Sequence, residues 1–280
     1  MKIVVTGGSG RAGRHIIPEL VAHGHEIVNA DTQRGPEQGA RFADVDCTDF
    51  GQAVAVLKGA DAVIHMAAIP NPLVAPEHVV FRINMVSNWN VLEAAEIHGI
   101  RKVVMASSIN AIGAGFSKAP VAPLYFPIDE QHPTRVEDGY AQSKWLGEEM
   151  ADAFCRRRDM QIASMRFHAL MDEETQRAQQ EKPITGATGR RSMGFWGWTD
   201  RQDAARACRL AIEKDWTGHE AFFINGRDTV LSIPTEEAIE QAYPGVPLKN
   251  LLPGFASALD TSKAERILGW VHEAEWKRRG

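Results

Sequence analysis

Short apolar runs rich in β-branched residues alternate with longer stretches of helical period over the first two thirds of the chain. Ile3-Val4-Val5 reads as a buried strand. After Gly7 a helical pattern covers Gly13 to Ala22, with Ile16, Ile17, Leu20 and Val21 on one face and Gly24 placed to end it. Glu26 to Ala30 is a second strand closing on Asp31, and Arg41 to Ala43 a short third. A helix is expected over Thr48 to Leu57, a strand over Ala62 to Ile64, and a long helix over Glu77 to His98 with Gly99 beyond it. Lys102 to Ala106 is a fifth strand, Glu137 to Arg157 a second long helix, and Ile162 to Met165 a sixth strand. These strands are apolar throughout rather than alternating, the pattern of strands covered on both faces. Their separation by helices calls for parallel crossovers, and right-handed ones give an α/β fold of Rossmann type with a doubly wound parallel sheet.

The last third changes character. Asp172 to Met193 is polar, with Thr185-Gly186-Ala187-Thr188-Gly189 in its middle, and is expected to be an irregular loop. Beyond it the pattern predicts a helix opened by Asp203, a strand over Phe222 to Ile224, a helix after Ser232 and a short helix after Thr261. Pieces this small do not make a free-standing domain. They are expected to form a small C-terminal cap over the carboxyl ends of the strands, where such sheets bind ligands. The expected division is residues 1–170 as the core, and residues 171–280 as cap plus remaining core elements, interleaved with it.

Composition narrows the function classes. The 280 residues are 44% hydrophobic and 24% charged, an ordinary globular mixture. A formal net charge of -5 argues against a nucleic-acid partner. Cys47, Cys155 and Cys208 are widely spaced, so no metal site is expected, and they read as small buried hydrophobes of a reducing compartment. The first apolar run leads straight into glycines rather than a cleavage site, and no apolar run approaches the ~20 residues of a membrane span. Cytoplasm is the expected location, with no membrane partner.

The chemistry begins at Gly7-Gly8-Ser9-Gly10-Arg11-Ala12-Gly13, directly between a strand and a helix. In that context Gly7 permits a tight turn, Gly10 lets the backbone approach a pyrophosphate, and Gly13 lets the helix lie close to the sheet. The helix start then offers free N–H groups and a positive dipole end to the phosphates. Arg11 and Ala12 fall inside this expected cofactor contact. Asp31, at the end of the second strand, suits the adenosine ribose hydroxyls and repels a 2′-phosphate, which favours NAD. Arg11 and Arg34 nearby keep NADP open. Asp46, after the third strand, is a second candidate for the adenine end together with Cys47; the alternative for Asp46 is a helix cap, a role Thr48 or Asp49 fills equally well.

Tyr140 and Lys144 are four apart in a helical pattern and share a face. A tyrosine with its ordinary pKa near ~10 is no base at neutral pH, but a neighbouring ammonium stabilises its phenolate. The pair then moves a proton while a nicotinamide moves a hydride. Ser108 follows the fifth strand at the ligand-binding edge, where its hydroxyl can hold the reacting substrate oxygen. Such a Tyr–Lys spacing is common by chance; its place after the glycine loop, Asp31 and Ser108 is what gives it weight.

These segments, with His65-Met66-Ala67-Ala68, Ser107-Ser108, Tyr140-Ala141-Gln142-Ser143-Lys144, Asp260-Thr261-Ser262-Lys263-Ala264 and Leu268-Gly269-Trp270, resemble the extended short-chain dehydrogenase/reductase family, also called the NAD-dependent epimerase/dehydratase family. The resemblance covers nearly the whole chain. It implies catalytic roles for Ser108, Tyr140 and Lys144, with Tyr140 and Lys144 also at the cofactor and Lys144 on the nicotinamide ribose. It implies a cofactor contact for Ala67, and substrate-side places for Asn84, Asn110 and His168, the last standing where the family usually has asparagine. The shorter length, and Arg191 five before Trp196, look more like the small uronate dehydrogenase-type members, so Arg191 is the expected contact to an acidic substrate. The implied activity is an NAD-dependent dehydrogenase of a sugar, sugar acid or polyol. The alternatives are a nucleotide-sugar epimerase or dehydratase and a non-catalytic dinucleotide-binding protein. A homodimer paired through the helices around Val86 to Ala95 and Trp145 to Phe154 is expected. His65 reads as a packed core histidine, Phe195-Trp196-Gly197-Trp198 as core or interface before sugar stacking, and Arg177, Arg190 and Arg191 individually as solvated loop before anion clamp.

Overall fold

The computed structural model describes residues 1–118, 121–181, 184, 188 and 192–278. In chain order its elements are β1 (Lys2–Thr6), α1 (Gly13–Ala22), β2 (Glu26–Asp31), β3 (Arg41–Asp44), α2 (Phe50–Leu57), β4 (Ala62–His65), α3 (Glu77–Ile97), β5 (Lys102–Ser108), α4 (Gly139–Arg157), β6 (Gln161–Phe167), β7 (Leu170–Met171), α5 (Glu173–Gln180), β8 (Thr199–Asp200), α6 (Arg201–Glu213), β9 (Gly218–Ile224), α7 (Thr235–Ala242) and α8 (Ser262–Leu268). Seven strands form one sheet in the order β3-β2-β1-β4-β5-β6-β9, and every neighbouring pair is parallel. The order reverses between β1 and β4, which opens the crevice where a doubly wound sheet takes its ligand.

Two apolar layers explain why the strands carry no polar face. On one side Ile3, Val5, Ile64, Met165 and Phe222 pack against Ile16, Ile17 and Leu20 of α1 and Ala204, Cys208 and Ile212 of α6. On the other, Val4, Val28, Val63 and Val103 meet Leu57 of α2, Leu92 and Ala95 of α3, and Ala151 and Phe154 of α4. Fully burying one such side chain stabilises the fold by about 1.5–3 kcal/mol before ordering entropy is counted. A third cluster draws on both parts of the chain: Ile109, Phe126 and Ile128 pack with Trp196, Trp198, Leu231, Tyr243 and Trp276. The C-terminal segment straps this cluster down, with Arg278 bonded to Asp228 and to the carbonyls of Thr229 and Leu231.

Two expectations are corrected here. The stretch read as irregular between Asp172 and Met193 holds α5, which Asp172 caps by accepting from the Thr175 N–H while Glu173 and Glu174 suit the positive helix end. None of its residues is buried, so it has no apolar stripe for a periodic reading to find. The helix assigned to Asp203 starts two residues earlier, because Asp200 caps it through the N–H groups of Gln202 and Asp203. Asp203 is instead buried at its first turn, where its carboxylate accepts from the backbone of Glu273 and Ala274. Strands β7 and β8, two residues each, pair in parallel outside the seven-stranded sheet.

Candidate active site

The loop after β1 turns at Gly7, whose φ of +66° is left-handed and where a Cβ would lie 2.6 Å from the Ala67 nitrogen. Gly13 packs against Gly8 so closely that a Cβ would sit 2.4 Å from the Gly8 Cα. The Ser9 N–H donates to Asp31 at 3.0 Å and the Gln33 N–H to the same carboxylate at 3.1 Å, so Asp31 stands at the β2 end against the glycine loop. Asp46 is exposed and accepts from the Thr48 N–H and hydroxyl, both at 2.8 Å, while Asp49 caps α2. Cys47 is buried beside it, and burial pushes its thiol up to about 12. Ala67 donates to the Thr6 hydroxyl.

Ser108 ends β5, and the first turn of α4 presents Tyr140 one turn before Lys144, its N-cap Asp138 accepting from the Ala141 N–H. Ser108 and Tyr140 line the same cavity, and the Ser108 hydroxyl acts on the Tyr140 phenol to favour its ionised form. The Ser108 oxygen accepts from both the backbone and side-chain N–H of Asn110 at 3.1 Å, which leaves its proton to donate. The Lys144 ammonium lies 5.6 Å from the Tyr140 ring centroid and donates to the Ala106 carbonyl at 2.7 Å. Phe116 meets Tyr140 edge-on, with ring centroids 6.1 Å apart. One cavity of about 800 Å³ runs from Gly7, Gly10, Arg11 and Ala12 to Ser108, Tyr140 and Lys144. Among the described residues its lining holds two cations, Arg11 and Lys144, and no carboxylate.

The substrate-side candidates separate. Asn110 lines the cavity, and its Oδ1 is buried without a partner. His168 also lines it, but Nε2–H donates to the Gly194 carbonyl at 2.7 Å and Nδ1 accepts from the Ala169 N–H at 2.6 Å. With both nitrogens engaged, and burial holding it down at about 4, His168 is a neutral pin for the cap segment; the substrate hydrogen bond expected of it is not available. Asn84 is not part of the cavity wall. Its amide bonds the Ile69 backbone and donates to the Ser143 hydroxyl at 3.1 Å, so it ties α3 to α4 behind the site. Arg191 and Arg190 lie outside the described residues. Phe195 and Trp196 both have left-handed φ values, 54° and 53°, and Trp196 lines the cavity, as do Phe116, Asn71 and Gln179, which sequence reasoning missed. No periodic signal marks such residues, because loops bring Asn71, Phe116 and Trp196 to the wall and Gln179 sits on a helix with no buried face.

A model of the NAD dependent epimerase/dehydratase family matches residues 3–224. The chain belongs to that family. It is accordingly an NAD-dependent enzyme. A putative UDP-glucose 4-epimerase of Methanocaldococcus jannaschii is 30% identical over 179 residues, which are 61% of this chain and 56% of that protein. An L-arabinose 1-dehydrogenase (NAD(P)(+)) of Haloferax volcanii is 28% identical over 218 residues, 76% of this chain and 82% of that one. A mutated uronate dehydrogenase shares the fold, with a TM-score of 0.69 at 22% identity over 98% of this chain and 82% of that chain.

The residues present fit the family's cofactor. Helix α1 opens at Ala12 with no side-chain cap, as α3, α7 and α8 also open without one, but of these four helix starts only that of α1 lies at the glycine loop that lines the cavity. Ala12, Arg11 and Gly10 line the cavity, so an uncapped, electropositive helix end borders it. Electrostatics at the other end set the working state. Burial lowers Lys144 to about 8, opposed by Glu148, and raises Tyr140 to about 12, opposed by Ser108. Lys144 is thus still mainly an ammonium at neutral pH beside an un-ionised Tyr140, and its charge is what favours the phenolate form of Tyr140. His65, behind them, accepts from Thr6, donates to Asn88, and is held neutral by burial at about 3.

Proposed function

We propose that this chain is an NAD-dependent dehydrogenase of a sugar or sugar acid, in which Ser108, Tyr140 and Lys144 are the catalytic residues. The observation that supports it is the continuous cavity joining the uncapped α1 end to Ser108, Tyr140 and Lys144, which line it together. Bound NAD supplies the hydride acceptor. Gly7, Gly10, Arg11, Ala12 and Gly13 hold its pyrophosphate, Asp31 its adenosine ribose, and Asp46, Cys47 and Ala67 the rest of its contact. The Ser108 hydroxyl donates to the substrate oxygen, its own oxygen being fixed by Asn110. For oxidation Tyr140 first gives up its own proton to solvent; the phenolate, stabilised by the Lys144 ammonium held on Ala106, then takes the substrate proton at its oxygen and becomes a neutral phenol. Asn110 lines the same end, with its Oδ1 buried against Gly115. Phe116, Trp196 and the pinned cap segment keep water from that end.

A second reading, a nucleotide-sugar epimerase, is supported by the similarity to the putative UDP-glucose 4-epimerase. The two differ in net redox change. The test incubates the protein with NAD and a panel of aldoses, uronates and UDP-sugars, following absorbance at 340 nm and sugar composition together. Stoichiometric NADH with a free sugar or uronate is the expected result. Interconversion of UDP-sugars without NADH would replace this reading by the second.

A further inference from the structure

Behind the three residues lies a second, dry set of charges. Glu148 sits one helical turn beyond Lys144 on α4 and is buried. Its Oε1 accepts from the Ser107 hydroxyl at 2.5 Å and from Arg166 Nε at 3.0 Å; its Oε2 accepts from Arg166 Nη2 at 2.7 Å. Ser107 and Arg166 are register partners across β5 and β6. One carboxylate therefore ties α4 to two neighbouring strands at a single level, one residue short of Ser108. On the same helix Lys144 bonds the Ala106 carbonyl. Three consecutive residues are thus held from α4 or face it: Ala106 by Lys144, Ser107 by Glu148, and Ser108 by Tyr140.

The bidentate bond accounts for Arg166 and leaves another question, which is how a lysine buried as deeply as Lys144 keeps its proton. Among the described residues, the ionisable groups about it are Tyr140 and Glu148 on α4 and His65 on β4. Behind Glu148 stand Arg166 on β6, His219 on β9 and, facing Arg166, Glu130; Asp138 acts on Tyr140 from the N-cap of α4. His65 is neutral and Tyr140 un-ionised at neutral pH, so Glu148 is the anion that acts on Lys144.

We propose that Glu148 is a positioning residue of the site: its carboxylate holds the strand end bearing Ser108 against the helix face bearing Tyr140 and Lys144, and it supplies the negative charge that keeps Lys144 protonated in dry surroundings. The proposal rests on the reading of Ser108, Tyr140 and Lys144 given above, and its test needs neither substrate nor cofactor. Carbon-13 NMR of protein labelled in its lysine side chains, with the Lys144 signal assigned by its loss in Lys144→Met, gives the Lys144 titration midpoint directly. Burial and Glu148 together put it at about 8 in the wild type. Glu148→Gln is expected to lower it by roughly one unit or more, the usual effect of losing a close opposite charge. That variant leaves the Arg166 guanidinium buried and unpaired, which strongly destabilises a fold. The double variant Glu148→Gln with Arg166→Met removes both charges and is expected to fold, with the midpoint still below that of the wild type. A folded double variant whose midpoint equals the wild type's would overturn the proposal, leaving Glu148 as a partner of Arg166 alone. Absence of sugar dehydrogenase activity would count against the functional reading and leave the NMR result standing.

Discussion

At Tyr140 a single oxygen separates binding from chemistry. Tyr140→Phe removes the phenolic oxygen that carries the transferable proton while leaving a ring of the same shape against Phe116. Turnover is expected to fall by roughly 10²-fold or more, with NADH affinity, read by fluorescence titration, close to wild type. Near-native turnover on the true substrate would remove Tyr140 from the mechanism. Lys144 sets the pH range. Its folded value is lowered to about 8, so the ammonium is present below that pH and lost above it, and kcat/KM is expected to decline above about pH 8. An undiminished kcat/KM at pH 10 would show that the ammonium is not required. The two buried histidines act on stability instead. His65 and His168 are lowered to about 3 and about 4, below the ordinary 6.5. Both are neutral in the fold, so the stability they contribute is complete above pH 6.5 and is lost as pH falls from there toward 4. The unfolding midpoint temperature should drop over that window, and less steeply in His168→Asn; an equal slope in that variant would contradict the assignment.

Among the elements, α4 carries the most. It presents Tyr140 and Lys144 to the cavity and Glu148 to two strands, and its start is set by Asp138. Asp138→Ala is expected to cost about 1 kcal/mol, seen in urea unfolding as a lower midpoint with unchanged m. A loss far below that would mean that water replaces the cap without cost. The strands and long helices of the core were legible in the sequence because each one buries a face, and burial imposes a period on apolar residues. Thus Glu77–Ile97 and Gly139–Arg157 fall within two residues of the helices expected from pattern alone. Helix α5 was not legible, having no buried face, and the cap of α6 was displaced by three residues because Asp200 and Asp203 are equally good caps on paper. Only the chain path shows that Asp203 is already engaged by the C-terminal segment.

For the whole molecule, the open question of scale is assembly. On α3 the side chains of Val86 and Trp89 are 39% and 42% exposed, and Trp89 packs edge-on against Phe154 of α4 with centroids 5.3 Å apart. A twofold pairing of α3 and α4 with a second copy would bury this face. Light scattering is expected to report about twice the 30.9 kDa chain mass, and Trp89→Lys to shift it toward the monomer. A wild-type protein that stays monomeric at tens of micromolar would rule the pairing out. The third apolar cluster belongs to this scale too. It joins residues near Phe126 to others near Tyr243 and Trp276, so its parts come from segments more than a hundred positions apart.

What the sequence by itself determined is what local physics encodes. The near-continuous apolar strands, the glycine spacing between strand and helix, and the four-residue step from Tyr140 to Lys144 require neighbours only a few positions away, so the core and its winding followed from them, as did the residues proposed for the chemistry. Which side chains are free to act was decided by the tertiary structure. His168 looked available until the cap placed the Gly194 carbonyl on its Nε2, and Asn84 until α4 placed the Ser143 hydroxyl on its amide. Glu148 gave no signal at all, since its partners Ser107 and Arg166 lie 41 and 18 positions away and meet only through strand register. A hydrogen-bonding group has few places to bond, and a sequence names the group without naming what already fills them.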